Sequence, residues 1–383
     1  MSADEALKIV IFGAGKIGRS FIGQLFSRSG YEVIFVDINS KLISELNQRN
    51  EYRVISRAEE GDRILSIKNV RGILLEDSEN IIRELAGTSL AALSVGQQGL
   101  AKAIPVIARA LIERRRQTGY QPIDFIVAEN MRNSDQYLKK ELRRYLPADY
   151  PLNRLVGLAE TSIGKMVPIM SRKDILEDPL QVFAEPYNTL IVARKAFKNA
   201  VPEVSDLEAK DNIKAWVDRK LFIHNLGHAT AAYLGYSRYP DYKYIYEVLN
   251  DPGILKATRQ TMLQSADILL VLYPDEFTVS QLTEHVDDLI YRFRNKALGD
   301  TVFRVGCDLY RKLGPSDRLV APIKAAIRLH MPFDLILDSL DAALSFRARD
   351  ELGNYQPADI QFFAELRKGR SYILNNVCKL HLP

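Results

Sequence analysis

Residues 8–37 read KIVIFGAGKIGRSFIGQLFSRSGYEVIFVD, and the fold follows from them. KIVIF and YEVIFVD are short apolar runs with no polar alternation, the pattern of strands buried on both faces of a sheet. The amphipathic stretch between them closes at Gly30, a suitable helix C-cap. Strand, helix, strand predicts a parallel sheet. SKLISELNQRN continues as a helix, YRVIS from Tyr52 and ILSIKNV from Ile64 as extended pieces, and a further helix is expected around residues 79–85. LAALSVG from Leu90 and DFIVAEN from Asp124 read as two more buried strands, separated by the helical AKAIPVIARALIERRR, whose Pro105 is expected in the first turn or at a kink.

Extended, β-branched character persists through LVGLAETSIGKMVPIM and LQVFAEPYNTLIVAR, up to Arg194. After about Val204 the texture changes. AKDNIKAWVDRKLFIHNLGHATAAYLG, ILKATRQTMLQSADILLVLY and SQLTEHVDDLIYRFRNK carry the apolar spacing of amphipathic helices. The boundary is expected within residues 198–206, KNAVPEVSD, where a proline and acids interrupt all periodicity. This gives an α/β N-terminal domain with a mainly parallel sheet over residues 1–200, and a mainly α-helical substrate domain over 201–383.

The glycines of GAGKIG identify the first domain more closely. Gly13, Gly15 and Gly18, with Lys16 and Ile17 between them, stand in G-x-G-x-x-G register between a strand and a helix. The first permits a tight turn, the second lets a pyrophosphate approach the backbone, and the third lets the helix pack on the sheet. Asp37 ends the second strand 37 − 18 = 19 residues later, where a carboxylate accepts hydrogen bonds from a ribose. This is the Rossmann-like dinucleotide pattern. Ile38, Asn39 and Ser40 follow with no arginine to receive a 2′-phosphate, so NAD is favoured over NADP. Gly96, closing LAALSVG, is a further expected point of cofactor approach.

Composition narrows the rest. The 383 residues include 52 Lys+Arg against 48 Asp+Glu, a net charge of +4 spread along the chain, which gives no field of the kind nucleic acid binding requires. Cys307 and Cys378 are the only cysteines, too few for a disulfide framework or a thiolate zinc site. No apolar run reaches the roughly 18 residues needed to span a bilayer. Asp4 and Glu5 stand where a secretory leader would be basic, so a cytoplasmic protein is expected; the oligomeric state stays open.

Groups able to move a proton are densest in DRKLFIHNLGH, which holds Lys220, His224, Asn225 and His228. Two histidines four apart suggest zinc, but Asn225 stands where a metalloprotease has glutamate and no further ligands follow, so no metal is expected. On a regular helix Lys220, Asn225 and His228 share a broad face. Lys220 and His228 would then lie about 12 Å apart along the axis unless Gly227 disturbs the turn.

K-x-x-x-x-N-x-x-H, here Lys220, Asn225 and His228, resembles the signature of the polyol-specific long-chain dehydrogenases, the mannitol dehydrogenase family. The similarity runs along most of the chain. IFGAGKIGRSFIG, the AENM around Asn130, RKLFIHNLGHATAAYLG, and DTVFRVGCDLYRKLGPSDRL from Asp300 resemble the family's mannitol-1-phosphate 5-dehydrogenase branch, in the same order. The resemblance implies an NAD-dependent oxidoreductase interconverting D-mannitol 1-phosphate and D-fructose 6-phosphate, with no nucleic-acid or membrane partner. It makes Lys220 the general base, Asn130 and Asn225 the holders of the reacting oxygen, His228 the residue that orients the hydroxyl or the lysine, and Arg304 and Lys312 substrate contacts. Arg311 and Arg318 add charge for a phosphate, unless they pair with Asp308 and Asp317. One departure stands out: GKMVP replaces the usual D-R-[IV]-x-P, so Gly164 and Lys165 stand for an aspartate and an arginine, and a polar anchor for substrate hydroxyls is missing. Glu160 or Glu185 is a candidate to compensate for that anchor, but both are read as surface acids. An unphosphorylated polyol or hexonate dehydrogenase, and a nucleotide-binding sensor without turnover, remain the alternatives.

Overall fold

The computed structural model describes residues 7–168 and 170–382. Asp4, Glu5 and Ile169, which entered the sequence reading, lie outside the described residues. The chain divides into two compact units, one up to Ile213 and one from Lys214.

Among the described residues, the N-terminal unit is built on eight strands: β1 Lys8–Phe12, β2 Glu32–Asp37, β5 Val70–Leu74, β6 Leu90–Leu93, β7 Ile123–Val127, β8 Val156–Ile163, β10 Leu190–Ala193 and β11 Leu207–Lys210, in the order β11-β10-β8-β7-β6-β1-β2-β5. Every pairing is parallel except β8 with β10. The remaining three, β3 Glu51–Ala58, β4 Gly61–Lys68 and β9 Val182–Ala184, form a small sheet in the order β4-β3-β9.

The unbroken apolar runs have a direct cause. Ile9 and Ile11 face one core with Phe21, Leu25 and Phe26, while Val10 and Phe12 face a second with Ile104, Ile107 and Leu111. Both faces of the sheet are covered, so neither can be polar.

Two expectations change. Pro105 lies in the middle of a helix running Gly96–Thr118, not in its first turn, because the helix begins directly after β6, at Gly96 with its φ of +70°. The unit boundary falls at Ile213 instead of at residue 200, because β11 pairs parallel with β10 and so keeps residues up to Lys210 with the first sheet.

The C-terminal unit is helical. Its longest helices are Pro252–Leu272, Val279–Phe293 and Leu226–Arg238, and the β-pairing found among its described residues is an isolated bridge between Tyr244 and Thr301. No helix among the described residues is long and apolar enough to cross a membrane.

Arg114 shows how the N-terminal unit holds the helix Gly96–Thr118. Its buried guanidinium donates to the carbonyls of Ala86 at 2.7 Å, Thr88 at 2.6 Å, Pro122 at 3.0 Å and Gln121 at 3.2 Å, joining the loops that lead into β6 and β7. Arg114→Met keeps the apolar stem and strands those carbonyls. It should lower stability by about 3 kcal/mol, read from the urea midpoint, whereas a loss below about 1 kcal/mol would mean that water replaces the guanidinium.

Candidate active site

In the N-terminal unit the glycine loop is built as the motif requires. Gly13 adopts φ +99°, and a Cβ there would collide with the Ser94 carbonyl. A Cβ on Gly18 would strike the Gly13 carbonyl, whereas nothing lies within 4 Å of the corresponding point on Gly15. Close packing therefore accounts for the outer two glycines, and the middle one faces open space. Lys16 is exposed at the start of the helix and Ile17 packs on the core. The helix opens as a π segment, Gly18–Gly23.

Asp37 closes the loop from the far side. One carboxylate oxygen accepts from the Ala14 N–H at 2.8 Å and the other from the Asn39 N–H at 2.9 Å. Beside it lies a cavity of about 350 Å³ lined by Gly13, Gly15, Asp37, Ser94, Val95 and Lys102. Its open glycine and its carboxylate suit the adenosine half of a dinucleotide, and Lys102 brings a positive charge suited to a diphosphate. Lys102 escaped the sequence reading. Its spacing of seven from Val95, two turns along one helix face, was the available signal.

Gly96 does not line this cavity. Its N–H and that of Val95 are taken by the Glu129 carboxylate, at 3.0 Å and 2.8 Å, and burial raises the pKa of that carboxyl. Asn130 follows, exposed on the turn after β7 at the carboxyl edge of the sheet, where open α/β sheets bind their ligands. On its other flank Glu160 accepts from the Ser134 N–H at 3.3 Å, its pKa raised by burial and by Asp135. Two carboxylates thus brace the segment that carries Asn130.

Glu160 and Glu185 are both buried, so the reading of them as surface acids is corrected. Glu185 accepts from the Met166 N–H, and Lys165 donates to the carbonyls of Glu185 at 3.1 Å and Tyr187 at 2.7 Å and to Asn188 Oδ1 at 2.9 Å. The GKMVP segment is held by its own fold.

In the C-terminal unit the signature lies on one continuous helical run, Ile213–Arg219, then a π segment Lys220–Asn225, then Leu226–Arg238. The π segment, not Gly227, disturbs the turn: Gly227 lies in regular helix, and a Cβ there would collide with the Met262 side chain. An i→i+5 closure widens the helix over Lys220–Asn225, so the angular spacing of a regular wheel does not hold between these two residues.

Burial pushes the Lys220 amine down to about 8, with Arg318 adding to the effect and Asp317 opposing it. His224 and His228 are held well below the ordinary imidazole value, first by burial and then by neighbouring cations, chiefly Arg292 for His224 and Arg304 for His228. Both are therefore neutral. Among the described residues no group of three or more His, Cys, Asp or Glu side chains converges to hold a metal ion.

The basic segment is more committed internally than its sequence suggests. Arg311 pairs with Asp308 at 2.5 Å and Asp317 at 3.5 Å, and Arg318 pairs with Asp317 at 2.8 Å. Arg304 grips Asp300. Lys312 is buried, with its amine donating to the Val305 carbonyl at 2.6 Å and the Arg304 carbonyl at 3.4 Å, and burial together with Arg318 pushes it down to about 7. As placed, it braces the end of the helix that carries Arg304. Asp300 was not singled out in the sequence; its spacing of four from Arg304 was the signal.

Comparison with known proteins agrees with both halves. Residues 7–206 match the mannitol dehydrogenase Rossmann domain and residues 212–379 the mannitol dehydrogenase C-terminal domain. The chain belongs to the mannitol dehydrogenase family. It is similar to the mannitol-1-phosphate 5-dehydrogenases of Buchnera aphidicola subsp. Acyrthosiphon pisum, strains APS and Tuc7, each 32% identical over 348 residues, covering 90% of this chain and 88% of the relative. In fold it resembles a D-sorbitol dehydrogenase in substrate-free form, with TM-score 0.78, 17% identity, and coverage of 97% of this chain and 86% of the other. It likewise resembles the Pseudomonas fluorescens mannitol 2-dehydrogenase solved as a ternary complex with NAD and D-mannitol, with TM-score 0.72, 17% identity, and coverage of 98% and 87%. As a member of the mannitol dehydrogenase family the chain is an NAD-dependent polyol dehydrogenase, an oxidoreductase acting on a CH–OH group.

The arrangement at Asp37 makes a cofactor prediction. The carboxylate repels a 2′-phosphate, so kcat/KM should favour NAD over NADP, and Asp37→Ala should weaken NAD use and narrow the gap. A wild-type preference for NADP would remove Asp37 from this role.

Proposed function

We propose that this polyol dehydrogenase interconverts D-mannitol 1-phosphate and D-fructose 6-phosphate, with Lys220 as general base. The observation that carries the reading is the similarity, at 32% identity over 90% of the chain, to proteins named mannitol-1-phosphate 5-dehydrogenase. The lowered pKa of Lys220 supports the role given to it, because a base must be neutral near the working pH to take a proton.

NAD, held by Gly13, Gly15 and Asp37, would supply the acceptor for the hydride leaving as the substrate C–H bond breaks. The alcohol proton passes to the neutral Lys220 amine as that bond breaks. The side-chain amides of Asn130 and Asn225 donate to the oxygen while it carries alkoxide charge, and His228 orients the hydroxyl. Arg304, paired with Asp300 but with its side chain 43% exposed, is the phosphate-facing cation, and buried Lys312 supports it from the Val305 and Arg304 carbonyls. Arg311 and Arg318 are left out of this role, since their charges are met by Asp308 and Asp317.

That pairing favours a second reading, a dehydrogenase for an unphosphorylated polyol or hexonate. Reduction of fructose 6-phosphate and of fructose separates the two. The phosphate reading expects kcat/KM to favour fructose 6-phosphate by several orders of magnitude and to fall sharply in Arg304→Ala, while equal use of both sugars would contradict it. Lys220→Ala should lower turnover roughly 10²–10⁴-fold with little change in NAD affinity; near-normal turnover would remove Lys220 from the mechanism.

A further inference from the structure

Two buried polar atoms face each other in the C-terminal unit, one of His228 and one of Asp300. Nε2 of His228 lies 3.3 Å from Oδ2 of Asp300, and both atoms are closed off from the surface without a well-formed hydrogen bond to any group. We infer that Asp300 is a positioning residue, which holds His228 in the tautomer with hydrogen on Nε2 and so leaves Nδ1 as the acceptor.

Both groups are fixed before any ligand arrives. Asp300 is 6% exposed, its carbonyl accepts from the Ile245 N–H at 2.9 Å, and Thr301 next to it bridges Tyr244. Its Oδ1 is taken by the Arg304 guanidinium. The His228 ring lies flat on Phe293, with centroids 4.5 Å apart and planes 6° apart, so the ring has little freedom to turn.

A neutral imidazole carries one hydrogen. Burial and the charges of Arg304, Arg318, Lys312 and Arg292 lower the His228 pKa well below the ordinary imidazole value, which favours the neutral ring. Were the hydrogen on Nδ1, the Nε2 lone pair would face a carboxylate oxygen in a dry interior, and two acceptors would be left unsatisfied. With the hydrogen on Nε2, a donor faces the carboxylate in place of a second lone pair. The same carboxylate then serves Arg304 through one oxygen and His228 through the other, coupling two residues of the proposed substrate site. That coupling rests on the proposed role of His228, in which Nδ1 accepts the hydrogen bond of the substrate hydroxyl.

The tautomer can be read without turnover. In protein carrying ¹⁵N-labelled histidine, the His228 resonances are identified by their loss in His228→Gln, and two-bond proton–nitrogen correlations report which nitrogen is protonated. The expected result at pH 7 is a neutral ring with hydrogen on Nε2; hydrogen on Nδ1, or a charged ring, overturns the assignment. In Asp300→Asn a single amide oxygen cannot serve both Arg304 and His228, so the ring should shift toward the Nδ1–H form and kcat should fall roughly 10- to 100-fold. A folded Asp300→Asn protein with unchanged tautomer and kcat also overturns it. If that variant does not fold, the wild-type spectrum still decides. Failure of the fructose 6-phosphate assay leaves the tautomer measurement untouched, so the two readings fail separately.

Discussion

Burial takes the Lys220 amine out of water and makes it give up its proton more readily than an exposed lysine does. Asp317, which favours the amine's charged form, is itself bound to Arg318, whose own charge disfavours a second cation. The π turn is what makes the location possible. It widens the helix at Lys220–Asn225, while on the next turn Gly227 lets Met262 of the helix Pro252–Leu272 press against the backbone. His224 and His228 then share the ring of Phe293 with Arg292 near by, so the neighbourhood of the lysine is a set of cations and neutral imidazoles in a dry setting.

The N-terminal unit relies on a different device. At the carboxyl ends of its strands, carboxylates accept from backbone N–H groups of neighbouring loops: Asp37 from Ala14, Glu129 from Val95 and Gly96, Glu160 from Ser134. Each bond ties one loop of the ligand-binding edge to the next. The cost is visible at Glu129 and Glu160, where burial raises the carboxyl pKa despite these donors. Arg19 does the complementary work, donating to the Ala14 carbonyl at 2.7 Å and to the Leu180 carbonyl at 2.5 Å, so the glycine loop is held through both its donors and its acceptors.

What was legible in the sequence was what local chemistry dictates. KIVIF and YEVIFVD had to be strands covered on both faces, and the glycines at 13 and 18 had to be glycines because another backbone carbonyl occupies the space of a side chain. The helical character of the second unit followed from periodicity. The π turn was not legible, since no residue type encodes it. The burial of Glu160, Glu185 and Lys165 was hidden because each is satisfied by partners distant in sequence, among them Ser134, Met166 and Tyr187. For Arg311 and Arg318 the acids that neutralise them stood in the same segment, and near-neighbour pairing prevailed over an open cationic site.

The pH dependence of polyol oxidation tests the proposed role of Lys220 most directly. Oxidation needs the neutral amine, so with NAD saturating, kcat/KM should rise with pH to a plateau with a midpoint at about 8, and sugar reduction, which needs the ammonium, should fall across the same midpoint. Arg318→Gln should move that midpoint upward, because the neighbouring cation that disfavours the ammonium is gone. A profile that is flat through this range, or one that rises only near the ordinary lysine value of 10.5, would contradict a desolvated lysine base.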